Sequence, residues 1–247
     1  MQKLLQKISI LFLFFFPHLS VIAQAQSNTF LHKADSLFEQ GLFEDAQQLY
    51  LKEWEVNKLY SPQMLLKMGY IEEQAGNIPM TMFYYNQYLD ITHNTQIIPK
   101  IQELSELHFL KGYEFSDIEY FVSLYRTYYY PIIFTIILLG LPYFIYLIVR
   151  ALQKKKWGSR PIGFLFIMGL VFLLNNYNVI PDRAIIIGQA CLMESPAAGS
   201  ICTEQIEPGN RVTILGKEGG IWYRVLWDNQ TLFVRNKHLK IIQSGKI

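Results

Sequence analysis

IYLIVRALQKKKWGSRPIGFLF, Ile145 to Phe166, passes from apolar residues through Arg150, Lys154, Lys155, Lys156 and Arg160, with no acid among them, to apolar residues again. The side of a membrane on which that patch sits would set the compartment of everything before and after it. The outer flanks carry little charge, with Arg126 before and Arg183 after. Short loops rich in Lys and Arg stay in the cytoplasm. The sequence therefore predicts a basic cytoplasmic loop at 150–160, with both flanking regions facing outward.

The run before the patch, Pro131 to Val149, is 19 residues without a charge. A helix rises about 1.5 Å per residue, so this run would reach roughly 28 Å, close to the ~30 Å hydrocarbon thickness of a bilayer. Tyr128, Tyr129 and Tyr130 precede it, as aromatic residues do at a headgroup boundary. Pro142 implies a kink, which a membrane helix tolerates. A transmembrane helix is expected at 131–149. The run after the patch is purely apolar only from Ile162 to Leu174, followed by Asn175, Asn176 and Asn178. A re-entrant or buried helix is open for it. A second spanning helix at 161–180 is the favoured expectation, because it completes a two-helix hairpin.

The first residues point the same way. MQKLLQK supplies Lys3 and Lys7, ISILFLFFF is a short apolar core, and Ala23 and Ala25 form an A-x-A site. Together these describe a signal peptide over 1–25, an uncleaved anchor being the alternative. Of the 247 residues 51% are hydrophobic and 17% charged, and the net charge of +2 gives no argument for nucleic acid. The charge is unevenly placed. From Gln26 to Tyr125 there are 14 acids against 6 bases, and from Arg183 onward 8 bases against 5 acids. Two modules are implied.

In the acidic module, ADSLFEQGLFEDAQQLY (Ala34–Tyr50) and GYIEEQAGNIPMTMFYY (Gly69–Tyr85) align at an offset of 35. Gly41 matches Gly76, Phe43 matches Ile78, Ala46 matches Thr81 and Tyr50 matches Tyr85. Each Gly suits a helix end, and each small residue at 46 or 81 lets a neighbouring helix approach. This pattern resembles the tetratricopeptide repeat, with Glu72 and Thr81 departing from it in the second copy. Gln96–Leu110 and Phe115–Tyr125 would cap the stack. The resemblance implies an all-α repeat domain at 26–128 that grips a partner through Asp35, Glu39, Tyr70, Glu73 and Gln74. Simple solvation of those side chains is the alternative.

After Pro181 the period changes. AIIIGQACLME, RVTILGKEG, IWYRVLW, TLFVRN and LKII are separated by SPAAGS, EPGN, EGG and DN, which is turn chemistry. Five short strands imply a small β-barrel at 183–243. Leu192 to Pro196, Gly209-Asn210-Arg211-Val212, Trp222-Tyr223-Arg224-Val225 and Leu239 to Ile241 resemble the bacterial SH3 domain. That resemblance implies contact with cell-wall peptide, and Trp222 and Tyr223 are the candidate surface residues. A place in the barrel core is the stronger reading for both, and for Trp227. Cys191 and Cys202 are the two cysteines. An exported module permits a disulfide between them, and two buried thiols are equally compatible.

Chemistry is not indicated. The histidines are scattered and none shares metal-ligand spacing with a cysteine. There is no phosphate-binding Gly-rich loop or nucleophile elbow. A His238–Cys191 dyad is outweighed by a structural histidine. No catalytic residue, cofactor or metal is expected.

The order of the pieces resembles the Bacteroides aerotolerance proteins of the BatE type. That resemblance implies a multidomain protein of the inner membrane: two passes, with a repeat domain and an SH3-like barrel both in the periplasm. It implies a scaffold for other envelope proteins, including von Willebrand factor A-type members of the same system. The alternative is a wall sensor that binds peptidoglycan through the barrel. In either case the lipid bilayer is a partner and nucleic acid is not.

Overall fold

A computed structural model describes residues 29–55, 60–153, 169, 172 and 181–242. The signal segment at 1–25, Lys154, Lys155, Lys156 and Arg160 of the basic loop, and nearly all of 161–180 lie outside the described residues. The chain builds helices α1 (Thr29–Glu39), α2 (Phe43–Glu55), α3 (Pro62–Gln74), α4 (Ile78–Thr92), α5 (Ile98–Leu107), α6 (Asp117–Thr127) and α7 (Tyr129–Leu152). Strands follow: β1 (Arg183–Ile186), β2 (Ala190–Met193), β3 (Cys202–Ile206), β4 (Arg211–Glu218), β5 (Trp222–Trp227), β6 (Gln230–Arg235) and β7 (Leu239–Ile242).

Local chemistry explains the helical half. α1–α2 and α3–α4 form two helical hairpins, each turned by a glycine in the left-handed region, Gly41 (φ 78°) and Gly76 (φ 72°). At each turn the residue after the glycine reaches back to the helix, Leu42 N–H to the Leu37 carbonyl and Asn77 N–H to the Glu72 carbonyl, both at 2.9 Å. The α3 start is capped by the Ser61 hydroxyl, which accepts from Met64 N–H, with Pro62 beginning the helix. Ala46 and Thr81 are both fully buried, so α2 and α4 pack at their small positions.

The strands form one antiparallel sheet in the order β3-β2-β6-β5-β4-β1-β7. Five strands were expected, and seven are present. The stretch at Ala184–Glu194 divides at Gly188 into β1 and β2, and β3 lies in a polar segment whose pattern carries no apolar alternation. Among the described residues the sheet does not close on itself, since β3 pairs only with β2 and β7 only with β1.

The expected fold class is corrected. The chain is a mixed α/β structure, not an all-α repeat domain, a transmembrane hairpin and a separate barrel. Ile185 of β1 and Ile242 of β7 belong to the same apolar cluster as Tyr50, Met64, Phe83, Tyr84 and Ile101 of the helices. The sheet's β1–β7 end therefore packs on α4, where an independent barrel would have presented solvated surface. The other side of the sheet has its own cluster, with Leu192, Val212, Val225 and Val234 fully or almost fully buried. The apolar outer positions of α4 gave no hint of this partner, because burial against another helix and burial against a sheet leave the same pattern.

The membrane expectation is also narrowed. Among the described residues no single helix is long and apolar enough to cross a membrane. Asp117–Thr127 and Tyr129–Leu138 reach that length and composition only together, and they are bent by 65° at their junction.

Candidate partner-docking surface

The residues read as partner contacts fall into two groups. Asp35 and Glu73 are half-buried and tied to neighbouring side chains. Asp35 Oδ1 accepts from the Tyr50 hydroxyl at 2.6 Å and pairs with Lys67 Nζ at 2.7 Å. Burial pushes the Asp35 carboxyl upward, but the bonds from Lys67 and Tyr50 outweigh it and leave the group below the ordinary carboxylate value. Glu73 accepts from the Tyr85 hydroxyl at 2.8 Å and pairs with Lys100 at 2.8 Å. Glu39 and Gln74, by contrast, are exposed, and Tyr70 is 41% exposed.

Tyr70 is one corner of a ring triangle. Its centroid lies 5.8 Å from Phe38 and 5.8 Å from Phe43, both edge-on, and those two rings are 5.3 Å apart. Lys67 Nζ stands 5.2 Å from the Phe38 centroid. Exposed Leu42 sits on the turn beside them. The geometry follows from the hairpins: the Gly41 turn brings Phe43 of α2 back against Phe38 of α1, and α3 packs Tyr70 against both. Clustered aromatic rings with an exposed member have the composition of an interface centre. Phe38 was not singled out in the sequence, although its spacing from Phe43 across a Gly turn is the signal that could have found it.

A second polar focus joins the halves. The Arg211 guanidinium is buried, donates to the Gly112 and Glu114 carbonyls and to Asn86 Oδ1, and lies 5.1 Å from the Phe115 centroid. Burial lowers its pKa to about 10, with Arg183 adding to that effect. Arg183 itself pairs with Glu119 at 3.3 Å and Asp90 at 3.6 Å. Beside this junction opens a cleft of about 980 Å3 bordered by Phe109, Lys111, Glu119, Arg183, Trp227 and Asp228. The cleft carries both signs of charge, with Lys111 paired to Asp228 at 3.2 Å on its border.

The remaining candidates are placed as follows. Trp222 is buried beneath Arg235, whose guanidinium lies 5.1 Å from its centroid, and Tyr223 is half-buried beside Lys217. Cys191 and Cys202 are joined in a disulfide, Cα to Cα 5.7 Å, which ties β3 to β2. Arg150 donates to the Tyr146 hydroxyl one turn earlier on α7 at 3.1 Å. Among the described residues no group of three or more His, Cys, Asp or Glu is placed to hold a metal ion.

No family model matches the chain, and neither a curated protein nor a solved structure does.

Proposed function

We propose that this protein is an interaction scaffold held at the inner membrane, with its folded body exported and its ring triangle receiving an envelope-protein partner. The observation that carries the reading is the exposed Tyr70 in the Phe38–Phe43–Tyr70 cluster, with exposed Glu39 and Gln74 on two of the same helices. An excess of acids from Gln26 to Tyr125 favours a partner surface with basic and apolar character. Von Willebrand factor A-type proteins of an aerotolerance system are the specific candidates.

Membrane attachment is supported by α7, whose Phe134, Ile137, Leu138 and Val149 are exposed to their surroundings. In water such a surface is costly, at about 25 cal/mol per Å2 of apolar area. Export is supported by the signal-like start and the basic patch. The one-body fold adds a constraint of its own. The chain leaves the body after α6 and returns at Arg183, which pairs with Glu119 of α6. Helices and sheet packed as one body would share one compartment.

A photo-crosslinking amino acid at position 70, in the full chain in its native cell, tests the reading. Adducts with an exported or membrane-bound protein, lost when Phe43 is changed to Glu, are expected. No adduct, or adducts with cytoplasmic proteins alone, would contradict it.

A further inference from the structure

Helix α6 carries its polarity inside out. Three of its polar side chains bond to the body: Glu119 receives Arg183 at 3.3 Å, and the Ser123 and Thr127 hydroxyls donate to the His93 carbonyl at 3.0 and 3.1 Å. Its apolar side chains point away from the protein. Ile118, Phe121, Leu124 and Tyr128 recur every three or four residues, forming one stripe on a helix, and all four are exposed, Phe121 to 67% and Leu124 to 42%. A helix packed on a protein in water has the opposite arrangement. This one requires an apolar medium on its outer side.

The stripe does not stop at the end of α6. At the 65° bend into α7, Phe121, Leu124 and Tyr128 meet Pro131, Ile132 and Ile136 around a concave apolar space of about 640 Å3. Tyr125, Tyr128, Tyr129 and Tyr130 lie at the same elbow, and tyrosine, apolar in body and polar at its tip, suits the membrane–water boundary. With α7 directed toward the bilayer, the 65° bend can lay α6 near the membrane plane.

From these observations we infer that α6 lies in the headgroup–acyl boundary as a collar, its stripe against lipid acyl chains and its polar face fixed to the body. Lipid is the occupant because the stripe runs unbroken into the exposed apolar surface of α7. The collar sets the orientation of the body, including the ring triangle, relative to the bilayer. The inference rests on the membrane-held part of the proposed function, and the experiment separates the two.

Phe121→Cys on α6, Ile137→Cys on α7 and Glu103→Cys on α5 are made singly in the full chain, each carrying a nitroxide. Cys191 and Cys202 are joined in the structure, so the label reacts at the introduced thiol. All three positions are exposed, so the fold tolerates the label. In vesicles of phosphatidylethanolamine and phosphatidylglycerol, accessibility to oxygen is compared with accessibility to a water-soluble nickel chelate. The collar predicts that position 121 favours oxygen several-fold relative to position 103, at a shallower depth than position 137. Position 121 behaving like 103 while 137 is lipid-buried overturns the collar and leaves membrane attachment standing. Position 121 shielded from both reagents means that protein covers the stripe, and this also overturns it. All three positions favouring the chelate would remove membrane attachment itself.

Discussion

The Arg211 guanidinium lies over the Tyr113 ring, 5.0 Å from its centroid, and this contact marks where sheet and helices become one body. The stitch is reciprocal: Arg211 N–H donates to the Lys111 carbonyl at 3.1 Å, and Lys111 N–H donates to Asn210 Oδ1 at 2.7 Å. The Tyr113 hydroxyl donates to the Gly209 carbonyl. A buried guanidinium is tolerable here because carbonyls, an amide and two rings replace its water.

Arg211→Ala leaves buried Asn86 Oδ1 and the Gly112 and Glu114 carbonyls without this donor. The expected cost is about 3 kcal/mol, from unsatisfied buried acceptors together with lost packing. Urea unfolding followed separately by helix ellipticity and by tryptophan emission should show one shared transition in the parent chain. In the variant the two should separate, because the link between the halves is weakened. Coincident, unshifted curves would argue that the halves are held by other contacts.

Gly112→Ala tests the same seam from the opposite side. Gly112 has φ +88°, and a Cβ there would overlap the Arg211 carbonyl oxygen, a backbone atom with little freedom to yield. A destabilisation of about 2–4 kcal/mol is expected from strain and overpacking. Gly41→Ala has the same kind of φ but open space around its Cβ, so it should cost only about 1 kcal/mol. Thermal unfolding of the two variants side by side measures the difference.

The Cys191–Cys202 disulfide closes a loop with a sequence separation of 11. Loop-closure entropy for that length is worth about 3 kcal/mol. Since β3 pairs only with β2 among the described residues, reduction should loosen this edge first. Amide exchange at Cys202–Ile206 is expected to accelerate before the rest of the sheet. A Cys191→Ser/Cys202→Ser variant should show the faster exchange without reductant and no further response to it.

His93 gives the stability a slope in acid. Burial lowers its pKa from 6.5 to about 4, with Arg126 adding to the effect. The fold therefore favours neutral imidazole, so His93 leaves stability intact above pH 6.5 and reduces it as pH falls toward 4, levelling below that. Asp90 acts oppositely: burial raises its carboxyl despite Arg183, so acidification favours the fold through it. His93→Asn keeps a residue tolerant of the left-handed φ of 55°. Between pH 7 and 5 its melting temperature should fall less than the parent's, or rise.

The turns and helix spacing were readable because each has a local cause. Gly41 and Gly76 stand 35 residues apart and make equivalent turns, and Ala46 and Thr81 mark close helix packing. The division of Ala184–Glu194 into two strands was harder, since its apolar run continues up to a single Gly. The joining of helices to sheet was not readable at all. Asn86, Tyr113 and Arg211 are distant in sequence, and each alone is an ordinary polar or aromatic residue. The opposed charges of the two halves suggest separate modules, whereas they meet in the Arg183–Asp90 and Arg183–Glu119 pairs. Among the proposed contacts, Tyr70, Glu39 and Gln74 lie at the surface because helical spacing identifies a face. Asp35 and Glu73 are taken up in ion pairs within the chain, because spacing does not disclose that Lys67 and Lys100 are within reach.

The proposed placement puts one folded body of helices and sheet on the outer side of a membrane. Glu44→Cys on α2 and Glu207→Cys after β3, each exposed and each made in the full chain, place a thiol on either half. A membrane-impermeant maleimide is applied to intact spheroplasts and again after lysis. The account predicts that both positions react before lysis. Reaction of one before and the other only after would put the halves on opposite sides, which the Arg211–Tyr113 contact forbids, and would contradict the account.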